Sequence, residues 1–242
     1  MASEVTDEKL DECCLTEYHP LPGTPRGQII KIADITTYYV SGTDNASKNK
    51  AIVLLTDIFG LSKNPRITAD ELSEKSGFDV YIPDLFNGDG IAPSFREGTP
   101  EVPGETMSIG TRTLRSENGV TRIQAVGYCF GGLYALLAGS KEHHLADVVV
   151  GCHVSLTNRT NYEQLDVPVA FVCAQEDYQF TDALRAEAEQ ILSRKSEIPS
   201  KFLLTEGTVH GFAVRPNPNN PVLMKAYKQA NDFIVEWAKT YL

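Results

Sequence analysis

Ile123-Gln124-Ala125-Val126-Gly127-Tyr128-Cys129-Phe130-Gly131-Gly132-Leu133-Tyr134-Ala135-Leu136-Leu137-Ala138 is the stretch on which the reading of this chain turns. An apolar strand, expected at 122–126, runs into G-x-C-x-G, and a small-residue helix, expected at 130–139, leaves it. A strand–turn–helix of this form is the setting of a nucleophile elbow, with cysteine where serine is the usual residue. The residue at the turn takes a strained backbone conformation, and side chains two positions either side would collide with strand or helix. The thiol then sits at a helix N-terminus, where backbone N–H groups and the helix dipole favour thiolate. The structural alternative is a buried cysteine beside a helix-packing glycine motif. The strand before and the helix after weigh toward a nucleophile.

Working outward, short β-rich runs alternate with amphipathic segments. Strands are expected at 28–32 and 36–40, at 51–56 and 78–82, and later at 146–154, 168–174 and 201–204. The run Ala-Ile-Val-Leu-Leu-Thr at 51–56 has no polar face, the mark of a strand buried on both sides. Helices are expected from Asn64-Pro65 to before Gly77, between Pro103 and Asn118, at 181–195 and at 221–242. Residues 1–27 read as an irregular lead-in packed on a single domain at 28–242, and 84–104 as a long active-site loop. Strand–helix–strand repetition of this kind builds an open, mostly parallel sheet with helices on both faces.

Composition narrows the class. Of 242 residues, 42% are apolar, enough for a sizeable core, and 32 acidic against 22 basic side chains give a net charge of −10. No basic stripe is available to track phosphates, so nucleic acid is excluded as a partner. No apolar run approaches the ~20 residues of a membrane span. The polar, acidic N-terminus is unlike a secretory or transit signal. Five cysteines, with Cys152 and Cys173 inside apolar runs, read as reduced thiols of a cytoplasmic protein.

A thiol nucleophile needs a base, and the base an orienting acid, in the chain order nucleophile, acid, histidine. His210 follows the last strand in Glu206-Gly207-Thr208-Val209-His210-Gly211-Phe212, whereas His19 and His143-His144 lie in polar segments and His153 at a strand end. The strand that closes in Gln175-Glu176-Asp177 offers two acids at its carboxyl end, where catalytic groups gather in open α/β sheets. Asp177 is preferred for its short side chain one step further into the loop. Thr56-Asp57-Ile58-Phe59-Gly60 ends the first buried strand, so the backbone N–H groups of Ile58 and Phe130 are the expected oxyanion donors. Asp57 would bring a carboxylate near the thiol, or else cap a turn. The expected fold is a single-domain α/β-hydrolase without a large cap domain.

On these motifs the chain resembles the dienelactone hydrolases (carboxymethylenebutenolidases), above all their small fungal members, from about Cys13 to the C-terminal helix. The resemblance rests on Thr-Asp-Ile-Phe-Gly (56–60), Tyr-Ile-Pro-Asp-Leu-Phe (81–86), Val-Gly-Tyr-Cys-Phe-Gly-Gly (126–132), Glu-Asp (176–177) and Val-His-Gly-Phe-Ala (209–213). It implies a triad of Cys129, His210 and Asp177 cleaving an enol lactone or activated ester through a thioester, without metal or organic cofactor. It also implies that Asp57 keeps the resting thiol protonated. The chain departs from bacterial members where Asp57 stands for their glutamate and Arg215 falls one residue late, leaving Arg96, Arg112 and Arg115 as further candidates for holding a substrate carboxylate. Phe59, Tyr128, Tyr178 and Phe212 flank these residues and are expected to line an aromatic pocket, which favours less anionic esters. A ligand-binding relative without activity, or a redox-responsive protein using Cys129 with Cys13 and Cys14, are the readings from other classes. The partner is a small-molecule ester or lactone, and the protein a monomer or small homo-oligomer.

Overall fold

Lys50–Leu55 forms strand β3, whose side chains alternate between two apolar layers: Ala51, Val53 and Leu55 join one, Ile52 and Leu54 the other. Such a strand requires cover on both faces, and the computed structural model, which describes residues 18–44, 47–88, 90 and 102–242, supplies it. Before β3 come β1 (Gln28–Ile32) and β2 (Ile35–Val40); after it come α1 (Lys63–Ser76), β4 (Asp79–Pro83), α2 (Val102–Glu117) and β5 (Arg122–Tyr128). The chain continues through α3 (Phe130–Ala138), β6 (Val148–Cys152), α4 (Arg159–Gln164), β7 (Val169–Glu176), α5 (Asp182–Leu192), β8 (Ser200–Val209) and α6 (Pro221–Tyr241).

The strands make one sheet in the order β1-β2-β4-β3-β5-β6-β7-β8. The β1–β2 and β2–β4 pairings are antiparallel, and every pairing from β4 to β8 is parallel. One face is covered by α2, α3 and α5 through Met107, Leu114, Leu136, Ile191 and Leu192. The other is covered by α1 and α6 through Leu72, Ala230, Phe233, Ile234 and Trp237. The expected hairpin, parallel sheet and two-sided helical cover are therefore all present. Of the lead-in, residues 18–27 are described: Leu21 is buried against Ile67 and Tyr227, and its N–H donates to Asn64 Oδ1 at 2.8 Å.

Several elements differ from expectation. Helix α4 has no apolar stripe to announce it, only Tyr162 being buried; it is set instead by a capping box between Asn158 and Asn161. Strand β8 runs five residues past its expected end. Residues 205–209, read from Gly207 as loop, continue along β7 across an irregularity until Val209 pairs with Glu176. His210 thus leaves the strand directly, level with the end of β7. Helix α5 stops at Leu192, and the next three residues turn, Lys195 N–H donating to Leu192 O at 3.0 Å.

Close packing at the β5–α3 turn depends on glycine. A Cβ at Gly131 would enter the backbone carbonyls of Leu55 and Thr56 at the end of β3, and one at Gly127 would strike Gly131 itself. Gly119, in contrast, has φ +71° with open space around it, so a side chain there meets only backbone strain. Gly131→Ala is expected to cost about 3 kcal/mol of stability by overpacking, and Gly119→Ala only about 1 kcal/mol. Urea unfolding of the two variants beside the wild-type chain measures the difference.

Candidate active site

Cys129 sits between the last residue of β5 and the first of α3 with φ 53° and ψ −115°, a conformation that costs a non-glycine residue free energy and persists only where surroundings impose it. They do so here. Cys129 N–H donates to Cys152 O at 3.0 Å, and Gly131 N–H donates to Thr56 O at 3.1 Å, tying the start of α3 to the ends of β6 and β3. The thiol stands at the N-terminus of a nine-residue helix and is 4% exposed.

His210 and Asp177 meet as a buried pair. Nδ1 of His210 lies 2.9 Å from Asp177 Oδ1 and 3.0 Å from Oδ2. Asp177 Oδ1 also accepts the N–H groups of Gln179 and Phe180, at 2.9 and 3.0 Å, which fixes its direction. Glu176, the other acid considered, is exposed. Burial works against a charged imidazole, but the negative charge available at the Cys129 sulfur and the Asp177 carboxylate outweigh it and push His210 up to about 10.

The structure adds a residue that the sequence reading missed. Ser155, buried after β6, has its Oγ 3.3 Å from Cys129 Sγ and 3.4 Å from His210 Nε2. Its own N–H donates to Cys129 O at 3.0 Å. Its position past the carboxyl end of a central parallel strand was the available signal. His153, two residues earlier, is fully buried, with φ 36°, and sets its ring edge-on to His210 with centroids 5.0 Å apart. Burial first, then the neighbouring His210 and Arg215, push its basicity well down.

Asp57 is paired with Arg215 in this geometry. Its Oδ2 lies 2.8 Å from Arg215 Nε, both side chains being almost fully buried; the contact is an ion pair by distance, without the angle of a straight hydrogen bond. Its Oδ1 accepts from Phe59 N–H at 3.1 Å, and its carbonyl from Gly60 N–H at 3.1 Å, so the carboxylate holds the turn that carries Ile58. Burial pushes the Asp57 carboxyl up, and the Arg215 charge opposes that rise. The Arg215 guanidinium lies 4.6 Å over the Phe59 ring and against Gly211, where a Cβ would crowd Nη2.

The aromatic candidates divide. Tyr178 is 42% exposed with its ring 5.4 Å from His210, and Phe59 is partly exposed, so both border the site. Tyr128 and Phe212 are core residues instead, buried in the layer under α1 and α6, because alternation along β5 turns Tyr128 to the side away from α3. Arg112 bonds Ser108 on the exposed face of α2, and Arg115 pairs with Asp147 at 2.6 Å before β6; neither reaches the site. Arg96, Cys13 and Cys14 lie outside the described residues. The N–H groups of Phe130, one residue before Gly131, and Ile58, two after Thr56, flank the Gly131–Thr56 bond. Among the described residues no group of His, Cys, Asp and Glu could hold a metal ion, and no helix is long and apolar enough to cross a membrane.

Comparison with known proteins places the chain in a family. The model of the dienelactone hydrolase family matches residues 35–242. Hydrolase pyvD of Aspergillus violaceofuscus is 32% identical over 247 residues, covering 96% of each chain. Dienlactone hydrolase 1 of Gibberella moniliformis is 23% identical over 96% of this chain and 94% of its own. Among solved structures, a thermophilic esterase from Thermogutta terrifontis superposes with a TM-score of 0.62 at 18% identity, over 89% of this chain and 92% of that one.

The charge on His210 is open to direct measurement. With the sulfur removed, burial, already the largest single cause and one that favours the neutral ring, is opposed by Asp177 alone. In an NMR pH titration, the wild-type imidazole is expected to lose its proton near 10. In Cys129→Ala the midpoint should fall by about one unit or more.

Proposed function

Since the chain belongs to the dienelactone hydrolase family and is thus a hydrolase of lactones or esters, we propose that it acts through a Cys129–His210–Asp177 triad and a thioester. The observation that carries this reading is the alignment around His210: Nδ1 rests 2.9 Å from Asp177, while Nε2 faces the Cys129 side of the site through Ser155 Oγ at 3.4 Å. The Cys129 thiolate attacks the carbonyl carbon, forming the C–S bond, and the N–H groups of Phe130 and Ile58 receive the developing oxyanion. Collapse of the tetrahedral intermediate expels the alkoxide or enolate, which takes a proton from the His210 imidazolium. A water molecule then gives a proton to neutral His210 and attacks the thioester carbonyl, releasing the acid and regenerating the sulfur–imidazole pair. Asp177 holds the imidazole with Nδ1–H toward it throughout. An enolate or phenolate leaves readily, which suits a thiol.

Charge bears on the substrate. The Arg215 guanidinium faces Asp57 at 2.8 Å, so a substrate carboxylate would meet a cation already balanced. The net charge of −10 does not draw anions inward. Phe59 and Tyr178 offer aromatic surface beside the catalytic groups. These features favour neutral enol lactones and aryl esters over substrates that carry a free carboxylate.

Two measurements test the proposal. Cys129→Ala is expected to abolish hydrolysis of p-nitrophenyl acetate, by about a thousandfold or more, with its circular dichroism unchanged; retained turnover would rule out the thiol as nucleophile. Across a panel of lactones and aryl esters, kcat/KM for neutral members should equal or exceed that for carboxylated ones such as dienelactone. A preference for the carboxylated lactone that disappears in Arg215→Ala would show that Arg215 anchors the carboxylate and overturn this reading of the substrate.

A further inference from the structure

Ser155 is held against the nucleophile by backbone and side chain together. Its N–H donates to the carbonyl of Cys129 at 3.0 Å, and its Oγ lies 3.3 Å from the Cys129 sulfur. The same oxygen lies 3.4 Å from Nε2 of His210. The segment carrying it leaves little freedom: His153 N–H donates to Val172 O at 2.7 Å, and His153 and Leu156 both have positive φ. A hydroxyl can donate one hydrogen bond while accepting another. With Nδ1–H directed to Asp177, Nε2 and the sulfur are the two atoms between which a proton must pass, and Ser155 Oγ touches both.

From this geometry we propose that Ser155 is a catalytic residue, a hydroxyl bridge that carries the proton between Cys129 and His210 and stabilises the resulting ion pair. The proposal rests on the triad reading above. In the forward step the S–H bond breaks and its proton forms an O–H bond at Ser155 Oγ. The hydroxyl's original proton moves to Nε2. Serine ends unchanged, sulfur carries the negative charge and the imidazole the positive one. In the charged state Nε2–H donates to Oγ and Oγ–H donates to the thiolate, so both ions gain a charge-assisted hydrogen bond. The titratable and charged groups around the bridge are Asp177 after β7, His153 after β6, Asp57 after β3 and Arg215 after β8. None of them belongs to the segment that a Ser155 substitution alters, except His153, whose buried ring is kept neutral.

Ser155→Ala keeps the backbone bond to Cys129 and removes only the hydroxyl, which separates the bridge from a loop anchor. The experiment follows alkylation of Cys129 by iodoacetamide against pH, with the site identified by mass spectrometry, alongside kcat and KM for p-nitrophenyl acetate. In Ser155→Ala the alkylation midpoint should rise by about one pH unit, and kcat should fall about ten- to a hundredfold with KM within about twofold. Ser155→Thr, which returns a hydroxyl, should move the midpoint back toward wild type. Ser155→Gly repeats the test should the alanine variant fail to fold. An unmoved midpoint overturns the bridge, whether or not kcat falls. His210→Asn is the reference: if it shifts the midpoint and Ser155→Ala does not, only the bridge is lost, whereas an unmoved midpoint in His210→Asn removes the triad reading itself.

Discussion

The rest of this structure depends on one close approach, the backbone of α3 laid against the end of β3. Only hydrogen at Gly131 allows it, since the carbonyls of Leu55 and Thr56 occupy the space a side chain would need. From that contact follow the Gly131–Thr56 hydrogen bond, the sharp reversal at Cys129 and its positive φ. A reversal of this kind turns the side chain out of the sheet and into the crevice beyond the strand ends. The same contact brings the Ile58 turn beside the first turn of the helix. Packing, strain and chemistry are therefore a single local arrangement, and relaxing the strain would also retract the sulfur.

Charge is organised around that corner in two separate pairs. His210 and Asp177 form one, with the sulfur as a second anionic neighbour for the imidazole. Asp57 and Arg215 form the other, stacked beneath Phe59. Keeping the pairs apart matters, because a carboxylate facing the sulfur would resist thiolate formation. Arg215 holds Asp57 toward itself.

Much of this was legible because glycine and chain order are strong constraints. Gly127 and Gly131 flank a cysteine between an apolar strand and a small-residue helix, and few arrangements other than the elbow require all four. Asp177 and His210 follow from the order in which parallel strands deliver their carboxyl ends, and membership of the family agrees with the motifs at 56–60, 81–86, 126–132 and 209–213. Tyr128 was misread because nearness in sequence was allowed to override alternation: it shares the face of Val126, opposite α3. The pairing of Arg215 with Asp57, 158 residues earlier in the chain, left no local trace, although Gly211 marks room for its guanidinium. Ser155 was missed because a serine after a strand is ordinary in loops, and only three-dimensional closure sets it between the Cys129 sulfur and Nε2 of His210. The polar stretch that forms α4 gave no periodic signal to read.

The four groups of the site leave four neighbouring strands in the order of synthesis: Cys129 after β5, Ser155 after β6, Asp177 after β7 and His210 after β8. A growing chain therefore presents its sulfur long before it owns a base. Until β8 docks at the sheet edge, Cys129 belongs to an unfinished polypeptide without His210 in place. The proposed triad is complete only with the last strand, when α6 is still to follow. On the triad proposed above, a chain arrested before His210 would carry the sulfur without its base.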